Sequence, residues 1–111
     1  MGGRLAALAG LIALLASGAV TAAPGDAAEM ALAKALFTQG AVPPCAICHT
    51  LKDAGTSGAV GPVLDDLQPD AGRVVAALKN GIGAMPSYKA TLSDSQMQAL
   101  GRYVEKASRA P

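Results

Sequence analysis

There is no tryptophan in this 111-residue chain, and its aromatic side chains come to two tyrosines and one phenylalanine. A domain this short cannot build a thick interior from alanine, leucine and valine alone, so a metal, a disulfide or a cofactor is expected to supply the missing bulk. An excess of either charge is also missing, with nine Lys+Arg against eight Asp+Glu. Basic runs are absent too, which excludes nucleic acid as a partner on electrostatic grounds. With one histidine and two cysteines, the chain cannot make a four-ligand zinc site. A metal held between two of its own imidazoles is excluded as well. Internal repeats are absent, and only one long apolar run occurs.

That run opens the chain. Arg4 supplies a positive start, Leu5 to Val20 is unbroken apolar or small residues, and Val20-Thr21-Ala22 or Thr21-Ala22-Ala23 offers small side chains for cleavage. Residues 1–22 therefore read as a signal peptide, cut after Ala22 because the neighbouring choice would place Pro24 directly after the scissile bond. An uncleaved anchor is the alternative, but the run falls short of the ~20 residues of a spanning helix. The expectation is a single exported domain over 23–111, periplasmic in a bacterial cell and without stable membrane insertion after cleavage. Removing Arg4 leaves eight basic and eight acidic side chains, a neutral mature chain.

What the sequence does hold is Cys45-Ala46-Ile47-Cys48-His49. Two thiols three positions apart, followed at once by an imidazole, are the attachment pattern of a c-type haem: thiols that become thioethers to the porphyrin, and a histidine that reaches its iron. Two rival readings stay open. A redox-active dithiol uses the same C-x-x-C but belongs with a βαβ pattern, and the sequence offers no convincing strand. A disulfide is the default for two thiols in an oxidising compartment, although so short a loop constrains the unfolded chain little.

A second axial ligand would have to come from Met30, Met85 or Met97. Met30 and Met97 fall in helical patterns, where methionine usually fills core. Met85 lies in the loop Gly81-Ile82-Gly83-Ala84-Met85-Pro86, between glycines that permit close approach and a proline that stiffens the backbone. It is the preferred ligand, with an open or lysine-ligated iron as the alternative. Pro62 keeps a carbonyl that can accept from the ring N–H of His49 and so orient it; equally, Gly61-Pro62 can be an ordinary turn. Tyr88, Tyr103, Arg73 and Lys79 are all able to bond a propionate, but ordinary packing or a solvated surface accounts for each of them and none is assigned.

Three helices are expected. Asp26 to Gln39 comes first, with Asp26 as N-cap, Glu29 closing a capping box, a stripe of Leu32, Ala33, Leu36 and Phe37, and Gly40 as its stop. Asp70 to Asn80 follows, capped by Asp70 and ended by Gly81, with Val74, Val75 and Leu78 on its apolar face. The last starts at Ser93, with Gln96 completing a capping box and Leu92 stapled to Met97. Gly101 inside it suggests a close backbone crossing, assigned to the first helix. Between these, Val42-Pro43-Pro44 delivers the chain stiffly to a short helical turn from Cys45 to about Leu51. Residues Lys52 to Pro69 read as a long connection of a kind expected only if it wraps something.

With those residues in view the chain resembles the class I cytochromes c over essentially its whole mature length. The likeness runs from Leu36 and Phe37 through the Cys45–His49 motif and Gly61-Pro62 to Gly83-Ala84-Met85-Pro86 and Leu100-Gly101-Arg102-Tyr103-Val104. The resemblance implies an all-α fold of three main helices plus a short helical turn around one covalent haem c, with the first and last helices crossing. It implies His49 and Met85 as axial ligands and the Pro62 carbonyl as acceptor from His49. The departure is the approach Gly40-Ala41-Val42-Pro43-Pro44, longer than is usual between the first-helix aromatic and the first cysteine. That approach, with Leu51-Lys52-Asp53-Ala54-Gly55 and Asn80-Gly81-Ile82-Gly83, is similar to small haem c subunits and acceptors that serve molybdenum-containing sulfite dehydrogenases. The implied role is an electron-transfer protein, not an enzyme, carrying single electrons between redox partners. The rival is a five-coordinate haem enzyme or gas sensor in which Met85 is not ligated.

Overall fold

The computed structural model describes residues 1–3, 7, 9–18 and 25–111. The expected cleavage segment and the leader's Arg4 lie outside those residues. Among the described residues no helix is long and apolar enough to cross a membrane. Five α-helices and one two-stranded hairpin follow in order: α1 Asp26–Ala35, α2 Cys45–Cys48, β1 Thr50–Leu51, β2 Thr56–Ser57, α3 Leu64–Leu67, α4 Ala71–Asn80 and α5 Asp94–Ala107. The architecture is the all-α one, with α1, α4 and α5 as the long elements.

The first helix departs from expectation at both ends. Gly25 takes the N-cap position with no side-chain bond, so Asp26 is the first helical residue rather than the cap. Glu29 closes no box; its carboxylate takes the Arg102 Nε at 2.9 Å on α5. At the other end the helix widens into a π-turn over Leu36–Gly40. The Thr38 hydroxyl explains the change, because it donates to the Lys34 carbonyl at 3.0 Å and the Ala35 carbonyl at 3.3 Å, competing with the regular ladder. The Ala41 amide then reaches back to Leu36 O at 2.9 Å, and Gly40 ends the helix as expected. Ala33 and Phe37 are buried, but Leu32, assigned to the same stripe, is 68% exposed.

Helices α4 and α5 begin as their sequences dictate. The Asp70 carboxylate accepts from the Arg73 amide at 2.8 Å, and Gly81 follows the last turn of α4 with a positive φ of 69°. At α5 both arms of the capping box form, Ser93 Oγ from Gln96 N at 3.1 Å and Gln96 Oε1 from Ser93 N at 2.9 Å. Such a cap is worth about 1 kcal/mol. Leu92 and Met97 are both buried in the same apolar cluster.

The first and last helices pack together through Phe37 and Tyr103, whose rings meet edge to face with centroids 6.1 Å apart. Gly101, however, marks a different crossing. A Cβ there would lie 2.8 Å from the Ala71 carbonyl oxygen and 3.0 Å from Val75 Cγ2, so the backbone that approaches is α4, not α1. The largest fully buried side chains are only Phe37, Leu51, Met97 and Leu100. So thin an interior agrees with the composition.

The connection after the motif is more structured than its composition suggests. His49 is already extended, and β1 pairs antiparallel with β2 in the register Thr50 to Ser57 and Leu51 to Thr56. A 3₁₀ turn over Lys52–Ala54 and the left-handed Gly55 join the two. Further on, the short helix α3 adds the buried Leu64. The strand periodicity is invisible in two-residue strands, which is why this hairpin was not expected.

Candidate haem site

The hairpin is the device that builds the site. The Thr56 hydroxyl donates to the His49 carbonyl at 2.8 Å and accepts from the Leu51 amide at 3.0 Å; Thr50 Oγ1 donates to Gly58 O at 3.0 Å. These bonds turn the chain back over the motif it has just left. The Gly61 amide then donates to the Cys48 carbonyl at 2.7 Å, which sets Pro62 beside the imidazole.

Close approach here demands glycine. A Cβ on Gly58 would fall 2.6 Å from the Cys48 carbonyl carbon and the Ile47 oxygen, and one on Gly61 would fall 2.6 Å from His49 Cε1. The backbone of Gly61 thus lies directly against the ring. Next to it, His49 Nδ1 and Pro62 O are 2.8 Å apart. A carbonyl only accepts, so Nδ1–H is the donor, and Nε2 is left with its lone pair free. Such a bond selects the tautomer of a metal-binding imidazole and raises its basicity.

Cys45, Cys48, His49, Pro62 and Met85 all line one cavity of about 530 Å³. Small-molecule and cofactor pockets run from roughly 300 to 1,000 Å³. Its walls are otherwise largely apolar, with Phe37, Leu64, Leu78, Leu100 and Val104 among them. Of the four methionines only Met85 reaches this cavity; Met97 is 1% exposed within the core cluster. Met85 is held by reciprocal backbone bonds with Ile82, N to O at 3.0 and 2.9 Å.

The donor set suits an iron porphyrin. An imidazole whose Nδ1 faces the Pro62 carbonyl, a thioether sulfur and two thiols share one roomy, largely apolar cavity, and both cysteines are free. Burial, opposed by a backbone bond and reinforced by Cys48, pushes the Cys45 thiol up to about 11. A redox-active dithiol needs the opposite shift. Among the described residues no cluster of three or more His, Cys, Asp or Glu could hold a bare metal ion.

The Tyr88 hydroxyl donates to the Pro43 carbonyl at 2.7 Å, so its proton is not available to a propionate. That bond spans 45 residues in sequence and had no local signal. The Tyr103 hydroxyl donates to Asp53 Oδ2 at 2.7 Å and lies outside the cavity.

Residues 28–104 match the family model described as cytochrome c oxidase, cbb3-type, subunit III. The chain belongs to this family of cytochromes c. Cytochrome c6 of Synechocystis sp. is 35% identical over 86 residues, an alignment that takes in 70% of this chain. The chain spans 65% of that relative's own length. The crystal structure of the c-type cytochrome SorU from Sinorhizobium meliloti is 45% identical, with a TM-score of 0.70, covering 72% of this chain and 91% of that one. The fold and the family are those of a class I cytochrome c, and membership implies haem c as the cofactor of the cavity.

Proposed function

We propose that this cytochrome c is an exported one-electron carrier holding one covalent haem, attached through Cys45 and Cys48, with His49 and Met85 as axial ligands. The observation that carries the reading is the bond from His49 Nδ1–H to Pro62 O at 2.8 Å, on the wall of the same cavity that Met85 lines. Cys45 and Cys48 would hold the porphyrin as thioethers, each S–H having added across a vinyl C=C with no oxidant needed, and His49 and Met85 would offer its iron a nitrogen and a sulfur donor. The haem supplies the one-electron chemistry. The chain's part is to present Nε2 from one side through the Pro62 carbonyl, to bring the Met85 sulfur into the cavity on a loop braced by Ile82 and Pro86, and to keep water out with apolar walls. With His49 and Met85 both bound, the iron would have no vacancy for a substrate, which would separate a carrier from an enzyme.

The partner-facing surface is read from charge. Residues 40–48, 58–64 and 81–88, which supply much of the cavity lining, contain no Asp, Glu, Lys or Arg. Val42 is 72% exposed and Ile47 61%, and Pro43 and Pro86 are exposed with them. Transient redox encounters of this kind are small. Steering by charge is expected to be weak, so association with a redox protein should change little with salt. The electron donor we propose is a molybdenum-containing sulfite dehydrogenase subunit, on the likeness of residues 40–44, 51–55 and 80–83 to its small haem c acceptors. A periplasmic location follows from reading 1–22 as a cleaved leader.

The deciding experiment is the near-infrared spectrum of the oxidised holoprotein. A sulfur-to-iron charge-transfer band that disappears in Met85→Ala supports the carrier. Absence of the band from the wild type, with rapid carbon monoxide binding on reduction, would favour a five-coordinate enzyme or gas sensor instead. Intact mass of the exported protein tests the leader and the covalent haem together. Reduction of the haem on mixing with a sulfite dehydrogenase and sulfite tests the partner.

A further inference from the structure

We propose that Arg73 binds a propionate carboxylate of the haem and is the resident positive charge of the site. The inference rests on the covalent-haem reading above and goes beyond it by naming a residue for the group's anionic edge. The porphyrin brings two carboxylates with it, on the edge away from the vinyl positions that Cys45 and Cys48 occupy. An ionised carboxylate placed against apolar walls needs a charged partner or a hydrogen-bond donor.

Asn80 lines the cavity with a neutral amide N–H donor; four further side chains are chemically able to serve, and the structure separates those four. The Tyr103 hydroxyl donates to Asp53 at 2.7 Å, and Tyr103 does not line the cavity. Lys79 pairs with Asp94 at 3.7 Å and is also absent from the wall. Tyr88 lines the cavity, but its one hydroxyl proton goes to Pro43 O at 2.7 Å. Arg73 lines it too, and among the described residues it is the only Asp, Glu, Lys or Arg that does.

Its guanidinium has no carboxylate partner among the described residues. The nearest acid in sequence, Asp70, spends Oδ1 on the Arg73 backbone amide at 2.8 Å as the helix cap. Arg73 also stands in the first turn of α4, where the helix dipole disfavours a cation and favours an anion. A carboxylate arriving there would pair with the guanidinium. Arginine suits the task because its planar fork donates to two carboxylate oxygens at once. A fixed positive charge near the iron stabilises the reduced form, since oxidation adds positive charge.

The test compares wild-type, Arg73→Gln, Arg73→Lys and Lys79→Gln holoproteins. Arg73 is exposed, so the variants are expected to fold, which far-ultraviolet circular dichroism checks. Resonance Raman reads the propionate bending band, which is sensitive to hydrogen bonding at the carboxylate, and voltammetry reads the potential. Arg73→Gln should move the band and lower the potential, Arg73→Lys should recover part of each, and Lys79→Gln should match the wild type. An unmoved band in Arg73→Gln, or a moved one in Lys79→Gln, would overturn the assignment. A wild-type protein with no haem at all would remove the covalent-haem reading instead, and its missing haem absorbance makes that failure distinct.

Discussion

The Tyr88 hydroxyl donates to the Pro43 carbonyl at 2.7 Å, bridging 45 residues of sequence. One end of this bond lies three residues after Met85 and the other two residues before Cys45. It therefore ties the loop carrying one proposed axial ligand to the segment that delivers the first thiol. Tyr88→Phe keeps the ring on the cavity wall and orphans the carbonyl, a loss of about 1–2 kcal/mol. At ~4–8 °C per kcal/mol for a domain of this size, the melting temperature of the holoprotein should fall by at least about 4 °C. The near-infrared sulfur band should also weaken, because the Met85 loop has lost its brace. An unchanged melt and an unchanged band would show that the bond holds neither segment.

At Gly61 the question is one of space. A methyl group there would sit 2.6 Å from His49 Cε1 and 2.9 Å from Nδ1, closer than real Cβ contacts allow. Either the ring turns away from Pro62 or the loop moves, and both break the 2.8 Å bond. Gly61→Ala should cost about 1–3 kcal/mol as overpacking and reduce the fraction of chains that carry haem, measured by pyridine haemochrome absorbance against protein. Haem loading equal to the wild type would show that the ring tolerates rotation.

A different glycine controls a helix crossing. In Gly101→Ala the new methyl would meet the Ala71 carbonyl oxygen at 2.8 Å, a backbone atom that cannot swing aside. The ~1 kcal/mol that alanine gains over glycine inside a helix is offset by an overpacking cost of about 1–3 kcal/mol. Net destabilisation is expected, with α4 displaced from α5. Because α4 carries Val74, Ala77 and Leu78 of the cavity wall, the Soret band should broaden as well. A more stable Gly101→Ala protein would mean that the two helices are free to slide apart.

What the sequence made legible divides along physical lines. Caps and stops were readable at Asp70, Ser93, Gln96 and Gly81, because each acts within a few residues of itself. The five candidate residues come from three local stretches, Cys45–His49, Gly61-Pro62 and the Met85 loop, and the structure places all five on one cavity. The misreadings involve distance. Asp26 and Glu29 fit a capping box locally, but Glu29 finds a better partner in Arg102, 73 residues away. Gly101 announced a close crossing correctly, yet a glycine cannot say which helix approaches it. The hairpin at Thr50–Ser57 stayed hidden because two-residue strands leave no alternation to detect. The π-turn at Leu36–Gly40 stayed hidden because it depends on the Thr38 hydroxyl taking two carbonyls.

Alkaline pH supplies the last prediction. Tyr103 is buried, 3% exposed, and burial together with its bond to Asp53 raises its hydroxyl well above the ordinary tyrosine value. The native state therefore keeps a proton that the unfolded chain releases near pH ~10. A raised native value means that the stabilisation is complete below the unfolded pKa and is lost as pH climbs from there toward the native one. Tyr103→Phe removes the bond to Asp53 and should be less stable than wild type by about 1–2 kcal/mol at pH 7. Above pH ~10 the wild type should lose stability faster than the variant, so the two urea midpoints converge. Tyr88, pushed up to about 12 chiefly by burial, contributes the same downward slope to both proteins and cancels in the difference. Urea midpoints of the two holoproteins at pH 7, 10 and 11 measure the gap directly; a gap that stays constant would place the Tyr103 proton outside the folding equilibrium.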